Sequence, residues 1–207
     1  APTEKYRYPL LFDSIYTEID SDGMIKDALK CEQEGTTKTF FIDSTMIDKA
    51  NTLKQGDIIS IETDYSGKTA IDIVKMFDAE SRTFETFENF SDPNRYWYRE
   101  TPPTESTYGG LSGWRVIAAQ LAKGYAKTVK GSMVSIAYTL ADARDGKSVM
   151  PKGGVPVTIF DKNETRKDKI YSGSINDIKS YDIFGEDCSF VIYCAYGGRV
   201  REMIVYK

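Results

Sequence analysis

The chain has 207 residues, a formal charge of −4 at neutral pH and no histidine. The missing histidine excludes Ser-His-Asp and Cys-His catalysis, imidazole zinc sites and a histidine pH switch. With 41% hydrophobic and 28% charged residues the chain is too apolar for disorder, and its 14 Tyr and 10 Phe favour strands. No apolar run reaches the ~18 residues of a membrane helix, and the polar start Ala1–Lys5 carries no leader-like core.

Tyr6 to Ile19 mixes aromatic and β-branched residues and is predicted as one long or two short strands. Asp20-Ser21-Asp22-Gly23 is predicted as a hairpin turn, since Asp tolerates tight turns and Gly supplies positive φ. It resembles half a calcium loop, but no closing Glu follows at the required place. Met24–Glu32 and Lys38–Asp43 read as strands, and Ser44 is placed to cap a short helix over Thr45–Asn51. Ile58–Thr63 and Thr69–Met76 then form a hairpin across Asp64-Tyr65-Ser66-Gly67-Lys68. Three strands, a short helix and two strands is the element order of an OB-like barrel.

Residues 79–113 differ in kind. Phe84, Phe87, Phe90, Tyr96, Trp97 and Tyr98 stand among Pro102-Pro103 and Gly109-Gly110. Such a segment is either a connector whose rings pack on a domain or an aromatic patch for a protein partner.

Beyond Trp114 the order recurs. Val116–Ala126 fits strand or helix, since Ile117, Leu121 and Tyr125 recur every four, and is taken as strand by analogy with residues 6–19; Met133–Leu140 and Val155–Asp161 are predicted strands, with a charged loop Asn163–Lys169 and an added strand or turn over Ile170–Ile178. In the last hairpin, Asp57 is matched by Asp187 or Cys188, Ile59 by Phe190, Ile61 by Ile192, Gly67 by Gly198 and Ile73-Val74 by Ile204-Val205. The expected fold class is therefore mainly β: two tandem, related small OB-like β-barrel domains, residues 1–78 and 114–207, joined by an aromatic-rich connector, 79–113, with few short helices. Cys188 and Cys194 fall on one predicted strand about 20 Å apart, too far to bridge, and the cysteines read as buried free thiols.

Charge is unevenly divided. Residues 1–78 hold nine Lys/Arg and fifteen Asp/Glu, whereas residues 114–207 hold fifteen and ten. Opposite halves attract, within one chain or between neighbours, unless both are merely solvated surfaces.

Little here carries chemistry. Ser66-Gly67-Lys68-Thr69 ends like a phosphate-binding loop, yet Glu62 stands where that loop needs Gly and a strand follows. Among 31 Asp and Glu no pair stands out. No catalytic residue, cofactor or metal site is assigned, and the chain is not read as an enzyme.

The pattern Leu53-Lys54-Gln55-Gly56-Asp57-Ile58-Ile59, Asp64-Tyr65-Ser66-Gly67-Lys68 and Ile71-x-Ile73 resembles small β domains repeated in surface-layer-like proteins of Firmicutes. Similar small barrels recur in phage virion proteins. The resemblance implies a scaffold or interaction role and no catalytic residues. The expected function is a non-catalytic structural or interaction protein of an extracellular surface or virion assembly, self-associating through its acidic and basic domains as a homo-oligomer, with a cytoplasmic setting left open. Candidate interaction residues are Phe84, Phe87, Phe90, Tyr96, Trp97, Tyr98, Lys123, Lys127, Lys130, Arg199 and Arg201. The alternative is a single-stranded nucleic-acid-binding OB-fold protein using the basic second domain.

Overall fold

Alternating apolar residues in the first half turn one face of every strand toward a shared interior. The computed structural model describes residues 4–5, 9–85, 95–97, 104–108, 111–115, 120–137, 146–149, 154–181, 187–196 and 199–207. The chain divides into two units, Ala1–Glu85 and Thr86–Lys207. The first holds β1 (Glu4–Lys5), β2 (Leu10–Ile19), β3 (Ile25–Gln33), β4 (Thr36–Ile42), β5 (Ile58–Thr63), β6 (Thr69–Asp78) and β7 (Thr83–Phe84).

Strands β2, β3, β4, β6 and β5 pair in that order, and β5 returns to β2, so five strands close into a barrel. Only the β4–β6 contact is parallel. Leu10, Phe12, Leu29, Cys31, Phe40, Ile42, Ile59, Ile61 and Ile73 fill the interior. A 3-10 turn (Ser44–Met46) and the single turn of α1 (Ile47–Ala50) cross from β4 to β5 and pack Met46, Ile47 and Leu53 on that core. The cap is Asp43, not Ser44, because Ser44 already lies inside the 3-10 turn. The Asp43 carboxylate accepts the backbone N–H and the hydroxyl of Thr45.

The second unit holds β8 (Arg95–Trp97), β9 (Thr104–Tyr108), β10 (Leu111–Arg115), β11 (Gln120–Lys130), β12 (Met133–Ala137), β13 (Gly146–Val149), β14 (Val157–Phe160), β15 (Ile170–Gly173), β16 (Phe190–Tyr196) and β17 (Arg199–Tyr206). β9 and β10 form their own hairpin. The others form one sheet in the order β13-β12-β11-β16-β17-β14-β15, with β8 beside the start of β11. β14 and β17 run parallel, as β4 and β6 do. Among the described residues β12 and β14 do not pair; β13 lies beside one and β15 beside the other.

Four of the five barrel pairings recur in the second sheet: β2–β3 as β11–β12, β2–β5 as β11–β16, β5–β6 as β16–β17 and β4–β6 as β14–β17. Phe12 donates to the Asp57 carbonyl and Ala126 to that of Ser189, and a bulge follows each donor, at Asp13 and at Lys127. Phe12 faces Cys31 and Ala126 faces Ile136; Ile61 faces Ile73 and Tyr193 faces Met203. All of these side chains lie in their own unit's core. The pairing therefore sets Ile59 beside Val191 and Ile61 beside Tyr193, one residue away from the sequence match with Phe190 and Ile192. A slip of one residue exchanges faces. Phe190 belongs to the opposite face, where the rings of Tyr125, Phe190, Tyr206 and Phe160 stand edge to face across four strands, with centroids 5.4, 6.0 and 5.8 Å apart. Cys188 precedes β16 rather than lying on it and is half-buried, while Cys31 and Cys194 are buried thiols.

The partner of Asp57 in this alignment is thus Ser189, neither Asp187 nor Cys188. The fully buried Asp57 carboxylate accepts the N–H groups of Lys54 and Ala79, each at 2.8 Å, with the Lys75 ammonium 3.7 Å away. Its own N–H returns to the Lys54 carbonyl. Ser189 exchanges the same kind of bonds with Lys179: its hydroxyl accepts the Lys179 N–H at 2.8 Å and its N–H donates to the Lys179 carbonyl.

Asp57→Ala is expected to cost about 2 kcal/mol, since it removes the acceptor of two part-buried N–H groups and leaves Lys75 with Asp78 alone, and Ser189→Ala about 1 kcal/mol. Amide hydrogen exchange checks this through lost protection at Lys54 and Ala79 in the first variant. Gly124→Ala is expected to destabilise the second unit by about 2 kcal/mol, read as a lower urea midpoint. A Cβ there would collide with the Ile136 side chain and stand 2.6 Å from the Ala137 carbonyl oxygen.

Candidate interaction surface

β2 and β3 outrun the barrel. β5 pairs with β2 only at Leu10 and Leu11, and β4 leaves β3 at Ala28. Among the described residues, Thr17–Ile19 and Ile25–Asp27 pair only with each other and form a two-stranded ribbon. Its turn is built by Asp20, whose carboxylate accepts the N–H groups of Asp22 and Met24 at 2.9 Å and bonds the Lys26 ammonium at 2.9 Å. Gly23 supplies the left-handed position, at φ +80°.

Ile19 faces Ile25 directly, four pairs beyond Ile15 and Leu29, an even number, so all four share one face. Leu29 is in the barrel core and Ile15 packs against it. Ile19, Met24 and Ile25, by contrast, are 65%, 61% and 73% exposed. The face that fills the barrel thus continues past its mouth with nothing described packed on it. Isolated exposed apolar residues are ordinary; three adjacent ones at a projecting tip form an exposed apolar patch.

A row of paired residues fixes where this tip points. Tyr16 lies beside Ala28, Ala28 beside Phe41 and Phe41 beside Thr69. The ribbon lies on the side toward which β4 runs. Tyr65, also exposed, tips the β5–β6 hairpin on the other side of the row, so it is not part of this surface.

The surroundings are acidic. Glu18, Asp20, Asp22 and Asp27 lie on the ribbon and its turn, where Lys26 is the one Lys or Arg among residues 17–27; Lys26 pairs with Glu18, bonds Asp20 and feels the charges of Asp22 and Asp43. Hydrogen bonding to Asp20, then the Asp20 charge, raises the Lys26 pKa, with smaller contributions from Asp22 and Asp43. The Lys26 hydrogen bond holds Asp20 below the usual carboxylate range, and the Thr45 hydroxyl and N–H do the same for Asp43. Such a surface repels phosphate and suits an apolar, cationic one.

The residues singled out in the sequence are scattered. Phe84 lies on β7, its ring 5.3 Å from that of Phe77 in an edge contact within the first unit. Tyr96 and Trp97 are on β8, paired with Leu121 and Gln120. Phe87, Phe90 and Tyr98 lie outside the described residues. Lys123 is half-buried in mid-β11 beside Ile192, and burial lowers its pKa. Lys127 occupies the bulge, its ammonium 3.9 Å from the centre of the Tyr181 ring. Lys130 is exposed where β11 ends. Arg199 and Arg201 sit on β17 near Ala195, which pairs with Gln120 at the far end of β11. Lys130 and the two arginines are therefore about 30 Å apart along the strand, at ~3.3 Å per residue, and do not form one basic face. The ribbon was the surface the sequence did not single out; its signal is Ile19 and Met24-Ile25 on either side of the Asp20–Gly23 turn.

No helix among the described residues is long and apolar enough to cross a membrane. No protein-family model, curated protein or solved structure matches the chain.

Acid is expected to weaken the first unit in a defined window. Asp78 is held at about 2, first by the Ser81 N–H and then by Lys75, below its ordinary 3.8. Asp20, Asp43 and Asp64 are lowered as well. Folded pKa values below the unfolded ones give stability that is present above about pH 4 and lost as pH falls toward 2. Urea midpoints of the first unit between pH 5 and 2, followed by amide exchange, check this.

Proposed function

We propose that the chain is a non-catalytic structural or interaction protein of an extracellular surface or virion assembly, whose copies associate through an acidic first unit and a basic second. The observation that carries this reading is the apolar, acid-rimmed ribbon that projects from the first barrel. The division of charge along the chain supports it: fifteen Asp/Glu against nine Lys/Arg in residues 1–78, and fifteen Lys/Arg against ten Asp/Glu in residues 114–207. The surface or virion setting rests on the resemblance of Leu53–Val74 to repeated small β domains.

We also propose that both units are versions of one OB-like barrel. The 1-2-3-5-4-1 pairing of the five barrel strands, with a short helical crossing between the third and fourth, supports this for the first. The matched bulges and core pairs support it for the second, whose seam between strands two and three holds β13 and β15 instead. In OB folds the loop between the first two strands commonly holds oligonucleotides. Here that loop is the acidic ribbon, which speaks against the nucleic-acid reading.

Sedimentation velocity of the full chain is the test. Dimers and larger species are expected at about 20 mM salt and their dispersal at about 500 mM, because screening shortens the reach of charge. A monomer under both conditions at high concentration would sink the reading.

A further inference from the structure

We infer that the β2–β3 ribbon of one copy docks on the β14–β15 loop, residues 161–169, of the next. The inference rests on the assembly reading above and names its contact.

The ribbon needs a partner that covers apolar side chains and brings positive charge. Among the described residues of the second unit, several basic side chains are already engaged or recessed. Lys123 is half-buried, Lys127 lies over Tyr181, and Lys179 bonds Asp187 at 3.2 Å. The β14–β15 loop is different. Lys162 and Arg166 are exposed on it, as is Lys167, whose ammonium stands 3.7 Å from the centre of the Tyr171 ring. Two of its three carboxylates are turned into its own backbone: Asp161 accepts the Asn163 N–H at 3.0 Å, and Glu164 accepts those of Thr165 and Arg166 at 3.0 and 2.8 Å, while Asp168 is exposed. These bonds fix the first part of the loop, with Lys162 and Arg166 at its surface. On the ribbon, Asp20 is likewise committed to its turn and to Lys26, leaving Asp22 at the tip as the exposed anion.

The two surfaces complement each other. The aliphatic stems of Arg166 and Lys162 cover Ile19, Met24 and Ile25, and their heads reach Asp22 and Glu18. A tip-to-tip contact between two ribbons would instead bring carboxylates together. Ribbon and loop are different patches, so each copy carries both halves of the contact.

Complementing variants of the full chain test this at low salt. Ile25→Glu spoils the ribbon; Lys162→Glu with Arg166→Glu spoils the loop. Each variant alone is expected to stay monomeric. Mixed, they are expected to form particles of twice the 23.3 kDa chain mass, since one intact ribbon meets one intact loop. Circular dichroism confirms folding, and Met24→Glu, in the turn, replaces Ile25→Glu if that variant misfolds. A ribbon variant that associates like the unmodified chain, or a mixture that stays monomeric while the unmodified chain associates, overturns the ribbon–loop contact and leaves the assembly reading standing. An unmodified chain that is monomeric overturns both.

Discussion

In each sheet the first long strand is tied, at its bulge, to the segment that leads into the fourth. Phe12 and the Gly56-Asp57 backbone exchange two hydrogen bonds in the first unit; Ala126, Tyr181 and Ser189 make the equivalent pair in the second. Register follows from that tie. Once Leu11 lies beside Ile58, Leu10 must lie beside Ile59, and Ile59, Ile61 and Ile73 turn inward together. The means differ. A buried carboxylate, bonded to two backbone N–H groups, holds the closed barrel, whereas a hydroxyl holds the open sheet.

The same register produces the surface assigned to recognition. β2 is ten residues long, but β5 covers only two of them, so the β2–β3 hairpin continues after the barrel has closed. On its inner face the polar pair Thr17–Asp27 separates the packed Ile15 and Leu29 from the exposed Ile19 and Ile25. Apolar surface left in water costs free energy, about 25 cal/mol per Å², which is the ground for the proposed covering by a second copy. The carboxylates around it are the ground for giving that proposed contact a basic partner surface.

The strands were legible because alternation over Ile58–Thr63 or Met133–Ala137 is a direct consequence of the pleat. The Asp20–Gly23 and Asp64–Lys68 turns were legible because Gly23 and Gly67 take positive φ. Face assignment in the last hairpin was not. Phe190-Val191-Ile192-Tyr193-Cys194 is buried throughout, and a run apolar on both faces has no period to read. Asp43 displaced Ser44 as the cap because the helical crossing begins with a 3-10 turn one residue early, which local composition does not announce. The ribbon was missed for a physical reason as well: Ile19 and Ile25 obey the same alternation as Ile15 and Leu29, and only the length of the neighbouring strands separates exposed from buried. The basic candidates failed to converge because β11 spreads Lys123, Lys127 and Lys130 along an extended strand.

The proposed meeting of copies at the ribbon is tested most directly by methyl NMR of the full chain at low salt over rising concentration. Signals of Ile19, Met24 and Ile25 are expected to shift or broaden with concentration, while those of the core residues Ile59, Ile61 and Ile73 stay fixed. Ribbon signals that remain unchanged while the particle mass grows would contradict it.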